Sequence, residues 1–193
     1  MNINYYKTNS HILVFFILYI SLLTGFVFDE NVTAGPMMDF DHALKQVKAF
    51  ETNFINTLLN YDSLESSTRI SPVFIIIIFI LKKIFINIDL VRFILINILV
   101  LNQFLFYLCL KQVFKKFEID KKILFLLSCI LFISPSFRSN IIWPESATLG
   151  LLFFLTSLFY FLKFRKDKNI LFIYYNIIFL AISSYIRPSF SLF

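Results

Sequence analysis

Residues 90–110 read LVRFILINILVLNQFLFYLCL, an apolar run with almost no charge. An α-helix needs roughly 20 such residues to cross the hydrocarbon core of a bilayer. In lipid, backbone N–H and C=O groups must find partners within their own segment, and a run of this kind does so as a helix. The stretch therefore predicts an all-α fold, a polytopic membrane helical bundle, provided that its neighbours read the same way.

They do. Working outward, spans are predicted at about 12–28, 90–110, 123–134, 147–162 and 170–185. The chain has 193 residues, 59% of them hydrophobic, with 27 Phe and only 3 Gly. Mean hydropathy is +0.79. Soluble domains are only about half apolar, so the excess asks for a lipid solvent. Lys7, the apolar run after it and small residues around Thr33 to Gly35 imitate a secretory signal. Further spans follow, which favours a retained signal anchor. The sequence stops at Phe193, just after Arg187-Pro188, without a polar tail. That is the expectation for the N-terminal part of a longer protein, read as one transmembrane domain over residues 1–193.

A sixth run, Pro72–Leu81, has ten apolar residues before Lys82 and Lys83. As a helix it covers about 15 Å, half the hydrocarbon core. Charge decides its role. If the N-terminus is cytoplasmic and this run does not cross, nine cations fall inside: Lys111, Lys115, Lys116, Lys121, Lys122, Lys163, Arg165, Lys166 and Lys168. If it crosses, all nine fall outside, against the positive-inside rule. The prediction is an outer loop, 29–89, with interfacial helices at about 41–60 and 72–86. Ser71 is the expected N-cap of the second and Pro72 its first helical residue. In the first, Leu44, Val47, Phe54, Ile55 and Leu58 recur at helical spacing, which makes it amphipathic.

The net charge of +6 does not point to nucleic acid. The cations lie in short clusters between apolar runs and build no continuous basic face. Cys109 and Cys129 sit inside apolar runs with no ligand partner nearby, so they read as packing residues.

Chemistry-bearing residues collect on the predicted outer face. Asp29, Glu30, Asp39 and Asp41 follow the first span, with His42 adjoining. Arg69 precedes the second interfacial helix, Arg138 and Glu145 fall in the loop 134–146, and Arg187 ends the last span. Arginine offers a planar fork matched to phosphate oxygens, and a carboxylate beside it can take a proton from an attacking hydroxyl. Together they suggest a site for a lipid-linked phosphate. The plainer alternatives are loop solvation, helix capping (Asp41 above all) and contact with phospholipid headgroups. Asn31-Val32-Thr33 matches a glycosylation sequon placed very close to the membrane.

Four stretches carry a family resemblance: Asp39-Phe40-Asp41-His42, Arg69-Ile70-Ser71-Pro72-Val73-Phe74, the segment Pro135 to Glu145 with its Trp143-Pro144-Glu145 end, and Ser184-Tyr185-Ile186-Arg187-Pro188. The chain resembles the N-terminal part of a polytopic C-type glycosyltransferase of the protein mannosyltransferase and aminoarabinose transferase-like superfamily, which uses polyprenyl-phosphate sugars. The resemblance implies a catalytic base in the first outer loop, at Asp39, with Asp29 and Glu30 as competitors. It also implies substrate binding by Arg69, Arg138, Glu145, Arg187 and His42. Ser71-Pro72 stands where many relatives have two prolines, and Glu145 where Asp is commoner.

The expected function is sugar transfer from a polyprenyl-phosphate donor to a lipid, glycan or protein acceptor at the outer face, with membrane lipids as the other partner. The alternative is a non-catalytic membrane protein, such as a flippase or transporter subunit for lipid-linked glycans. A transporter places charge within its spans, and these carry almost none. No metal cluster is visible and no cofactor is expected, though a divalent cation between Asp39 and Glu145 is compatible with the sequence. The Phe, Ile, Asn and Lys bias suggests an AT-rich genome and a bacterial inner membrane.

Overall fold

The computed structural model describes residues 10–32, 35–64, 71–117 and 119–192. Among them the structure is all-helical, with no strand. The α-helices are α1 (Ser10–Val27), α2 (Gly35–Thr52), α3 (Phe54–Leu59), α4 (Pro72–Ile84), α5 (Ile88–Val113), α6 (Lys121–Ser128), α7 (Ile130–Ile133), α8 (Pro135–Ile142), α9 (Ser146–Asp167) and α10 (Ile170–Ile186).

Two helices are long and apolar enough to cross a membrane: α5, continued by a 3-10 turn to Lys116, and α9. The bent pair of α6–α7 with α8 makes a third if it is one span. Helices α1 and α10 are apolar but shorter. At 1.5 Å per residue the 17 residues of α10 reach about 25 Å, against a core of about 30 Å. Length and composition alone thus support two or three crossings, fewer than the five expected.

Several predicted boundaries need correction. The segment 123–134 is α6 and α7, joined through Cys129, and at its end the chain bends, α8 leaving α6–α7 at 69°. The cause is local: Ser134 is extended, its hydroxyl accepts from the Phe137 N–H at 3.5 Å, and Pro135 follows as the first helical residue. Proline fits a first turn but disfavours helix in the residue before it, so the chain restarts in a new direction. The loop predicted at 134–146 is therefore largely the helix α8. The helix predicted at 41–60 starts instead at Gly35, with Pro36 in its first turn, and is interrupted at Asn53, whose side chain caps α3 by accepting from the Asn56 N–H at 3.0 Å. Asp41 consequently sits in the interior of α2, exposed, and is no N-cap. The helix predicted at 72–86 is α4, where the Ser71 hydroxyl accepts from the Val73 N–H at 3.3 Å and Pro72 opens the first turn.

The core explains why α2 and α4 lie together. Phe40, Ala43, Val47 and Phe50 form a buried stripe at three- and four-residue spacing on α2, and it packs against α4. On α4, Phe74, Ile75, Ile78 and Phe79 are buried. Each such side chain contributes about 1.5–3 kcal/mol when fully buried. Glu51 and Lys82 close the edge of this pair at 2.9 Å. Helix α5 carries the core onward through Val91, Leu95, Ile96 and Leu99 and packs on α9, which forms a hairpin with α10. Polar side chains cross-link helices inside this apolar body. The Tyr19 hydroxyl donates to Asn97 Oδ1 at 2.6 Å, Gln103 Nε2 to Ser128 Oγ at 2.7 Å, Asn102 Nδ2 to the Thr148 carbonyl at 3.2 Å and Ser183 Oγ to the Gly150 carbonyl at 2.8 Å. Where hydrocarbon gives polar groups no other partner, such bonds select the neighbouring helix. Outside, Leu13, Phe16, Ile17 and Ile20 on α1 and Ile170, Leu171, Ile177 and Ile178 on α10 are exposed. Apolar surface on this scale needs a partner, and lipid is one that suits it.

Candidate functional site

The helix order brings one set of ends together: the C-terminal ends of α1 and α10, the N-terminal ends of α5 and α9, and α8. Three arginine–carboxylate pairs meet there.

The first begins with the way α1 stops. The Glu30 N–H donates to the Gly25 carbonyl at 2.8 Å and the Asp29 N–H to the Phe26 carbonyl at 3.2 Å, with Asp29 left-handed at φ 50°. This is a Schellman ending, which normally takes glycine at the left-handed position; aspartate tolerates that region better than most residues. Its side chain has a use there. Arg92, buried in the first turn of α5, donates to Asp29 Oδ1 at 3.0 Å and to Asp89 Oδ1 at 3.2 Å. It also donates to the Ile142 carbonyl at 3.3 Å and lies over the Trp143 ring, 3.7 Å from its centroid. Phe26 covers it at 5.0 Å. A guanidinium this enclosed needs both acids and the ring face.

The second pair is bidentate. Arg138, on α8, donates from Nε to Glu30 Oε1 at 3.0 Å and from Nη2 to Oε2 at 2.6 Å. It reaches the Ser21 hydroxyl and carbonyl, each at 3.2 Å, and so ties α8 to α1. The hydrogen bond from Arg138 holds the Glu30 carboxyl below its ordinary value, while burial opposes. Trp143 Nε1 donates to the Glu30 carbonyl at 3.2 Å. Gly25 makes the approach possible, because a Cβ there would run into the Glu30 carboxylate and Ile142. A groove of about 550 Å³ rises from this pair along α1, walled by Ile17, Ile20, Ser21, Thr24 and Phe28.

The third pair is looser. Arg187, at the end of α10, stands 3.7 Å from Glu145, which precedes α9. Glu145 is largely enclosed, at 11% side-chain exposure, and Arg187 is at 37%. Burial pushes the Glu145 carboxyl above its ordinary value; Arg187 works against this, and the negative charge of Asp39 adds to it. Asp39 stands at the edge of the buried stripe of α2, half-buried, and is thus brought within electrostatic reach of Glu145. His42 is one turn on and exposed, further round towards solvent. The Ser146 hydroxyl, next to Glu145, is buried and has no partner among the described residues.

The structure therefore pairs Glu145 with Arg187 and brings Asp39 within electrostatic reach of Glu145, although the sequence separates the three widely. It places Asp29 and Glu30 in ion pairs with Arg92 and Arg138. Arg69 lies outside the described residues, as does Thr33 of the sequon. Among the described residues no group of three or more His, Cys, Asp or Glu is placed to hold a metal ion. Arg92 escaped the sequence reading. Its signal was present: an arginine in the first turn of an apolar helix, three residues after Asp89, has to find acid at that depth.

No family model, no curated protein and no solved structure matches this chain.

Proposed function

We propose that this chain is a multi-pass membrane protein, crossing at α1, α5, the α6–α8 unit, α9 and α10, that transfers a sugar from a polyprenyl-phosphate donor to a hydroxyl of a lipid, glycan or protein. The observation that carries the reading is the pairing of Glu145 with the half-exposed Arg187 at one end of the helix bundle, within electrostatic reach of Asp39.

Of the three arginines in the described site, Arg187 is held least firmly. It is the one with capacity for an incoming phosphate. Asp39 takes the proton of the acceptor hydroxyl, the hydroxyl oxygen bonds to the anomeric carbon, and the bond from that carbon to the phosphate oxygen breaks. The departing electron pair rests on the lipid phosphate, beside Arg187. Glu145, enclosed beside Arg187, holds that arginine at the site. The arginine-rich end is then the outer face of a bacterial inner membrane, with the N-terminus cytoplasmic.

The test is turnover by the full-length, membrane-inserted protein given a polyprenyl-phosphate sugar. Asp39→Asn should lower it about 10²–10⁴-fold, the usual worth of a general base. Asp29→Asn should cost less, because Arg92 already engages that carboxylate. Unchanged turnover in Asp39→Asn removes the base assignment. No transfer by the unmodified protein favours the flippase or transporter-subunit alternative. Loss on chelation, restored by a divalent cation, would show that transfer needs such an ion.

A further inference from the structure

The opposite end of the bundle holds a second concentration of charge that sugar transfer does not use. The C-terminal end of α5, the turn after it, the start of α6 and the end of α9 enclose a pocket of about 480 Å³. Lys111, Lys115, Lys121 and Lys166 supply its charge, and Phe114, Phe117, Ile119 and Leu124 supply apolar wall. Lys116 and Arg165 line an adjoining pocket that shares Lys115 and Lys166.

Three observations separate this from lysines that only mark a cytoplasmic face. Lys115 and Lys166, on different helices, line both pockets together. Like charges repel, and an anion between them turns that repulsion into attraction. The acid nearby is sparse among the described residues. Asp167 stands 3.6 Å from Lys166, and Asp120 is engaged in capping α6 by accepting from the Lys122 N–H at 2.9 Å. Finally, the cations share the pocket with exposed aromatic and aliphatic side chains, Phe117 and Ile119 among them. A soluble phosphate has no use for such a wall, whereas a phospholipid brings a phosphate and acyl chains together.

We propose that this pocket binds the headgroup of an anionic phospholipid, with Lys115 and Lys166 clasping the phosphate and the phenylalanine wall receiving the upper acyl chains. The proposal requires the helices to lie in a bilayer and is independent of sugar transfer at the other end.

The experiment uses the full chain purified in a neutral detergent. Its thermal unfolding is followed with added phosphatidylglycerol, phosphatidylcholine or inorganic phosphate, and bound lipid is counted by native mass spectrometry. Phosphatidylglycerol should raise the melting temperature and stay bound; phosphatidylcholine and phosphate should do neither. Lys115→Gln with Lys166→Gln should weaken phosphatidylglycerol binding at least fivefold, the factor expected for one lysine at an anionic surface. Both side chains are exposed, so the lipid-free melting temperature should hold. Lys163→Gln with Lys168→Gln is the charge-matched control, since those ammonium groups lie over Phe159 and Phe164. Equal loss in the control overturns a specific clasp in favour of general charge. Equal stabilisation by phosphatidylcholine overturns headgroup recognition, and equal stabilisation by phosphate overturns the lipid in favour of a free anion. Undiminished binding in the Lys115/Lys166 variant overturns the site itself.

Discussion

Glu30 and Glu145 stand at the same end of the molecule and respond to acid in opposite ways. Glu30 is held below its ordinary 4.5 by the hydrogen bond from Arg138. The folded protein therefore binds that proton less readily than the unfolded chain. Its stabilisation is complete above about pH 4.5 and is lost as pH falls through the lowered folded value. Glu145 is raised above the same ordinary value, chiefly by burial. The folded protein holds this proton more tightly, so stability declines as pH rises from 4.5 through the raised value. Glu30→Gln should cost about 1.5–3 kcal/mol at neutral pH, because it leaves the Arg138 guanidinium without its charged acceptor, and should flatten the acid limb of the stability curve. Glu145→Gln should leave the acid limb in place and remove the decline above it. Unfolding of the two variants between pH 3 and 8 checks both. At this scale the sequence showed the residue types but not their partners. Nothing in Asp29-Glu30 tells which arginine each meets, because Arg92 and Arg138 reach them only through packing of α5 and α8.

Elements were more legible, and the errors have identifiable causes. The Ser71-Pro72 start of α4 was readable because both signals are local. Ser134-Pro135 carries the same signal, yet it fell where a span ended and was read as the start of a loop. The prediction at this scale is that Ser134→Ala removes the acceptor for the Phe137 N–H and lowers stability by about 1 kcal/mol. Restoration by Ser134→Asp, with melting followed in the same detergent, identifies the effect as capping. A second element-scale feature is the α9–α10 hairpin, which turns at Lys168 with φ 54° and is then capped by Asn169, whose Oδ1 accepts from the Leu171 N–H at 3.0 Å. Its close contact depends on Gly150, where a Cβ would stand 3.0 Å from the Phe190 ring and 3.3 Å from Arg187. The site's looser arginine is thus positioned partly by an absent side chain in the neighbouring helix.

Over the whole molecule, two concentrations of charge lie at opposite ends. The three arginine–carboxylate pairs occupy one end, and the lysine clusters of 111–122 and 163–168 the other. With the lysine end cytoplasmic, a cysteine at Asp62 should react with a membrane-impermeant reagent from outside, and one at Asp120 only after the membrane is opened. Both positions are exposed, and native Cys109 and Cys129 are buried, so neither should give background. Labelling at 120 from outside would reverse the orientation, and labelling of both would show that a helix counted as crossing does not cross.

The sequence by itself determined the helical class, the apolar segments, the start of α4 and the clustering of cations at 111–122 and 163–168. These follow from hydropathy, from local capping chemistry and from charge order along the chain, and each is felt within one or two helical turns. Only the tertiary structure decided that Arg92 is buried against Trp143, that Asp29 and Glu30 are engaged while Glu145 pairs with Arg187 within electrostatic reach of Asp39, and that Lys115 and Lys166 line one pocket. Those pairings join residues from helices far apart in sequence. They depend on which helix faces the core and where each helix ends, to within a fraction of a turn, and that is set when the side chains of α2, α5, α8, α9 and α10 pack together.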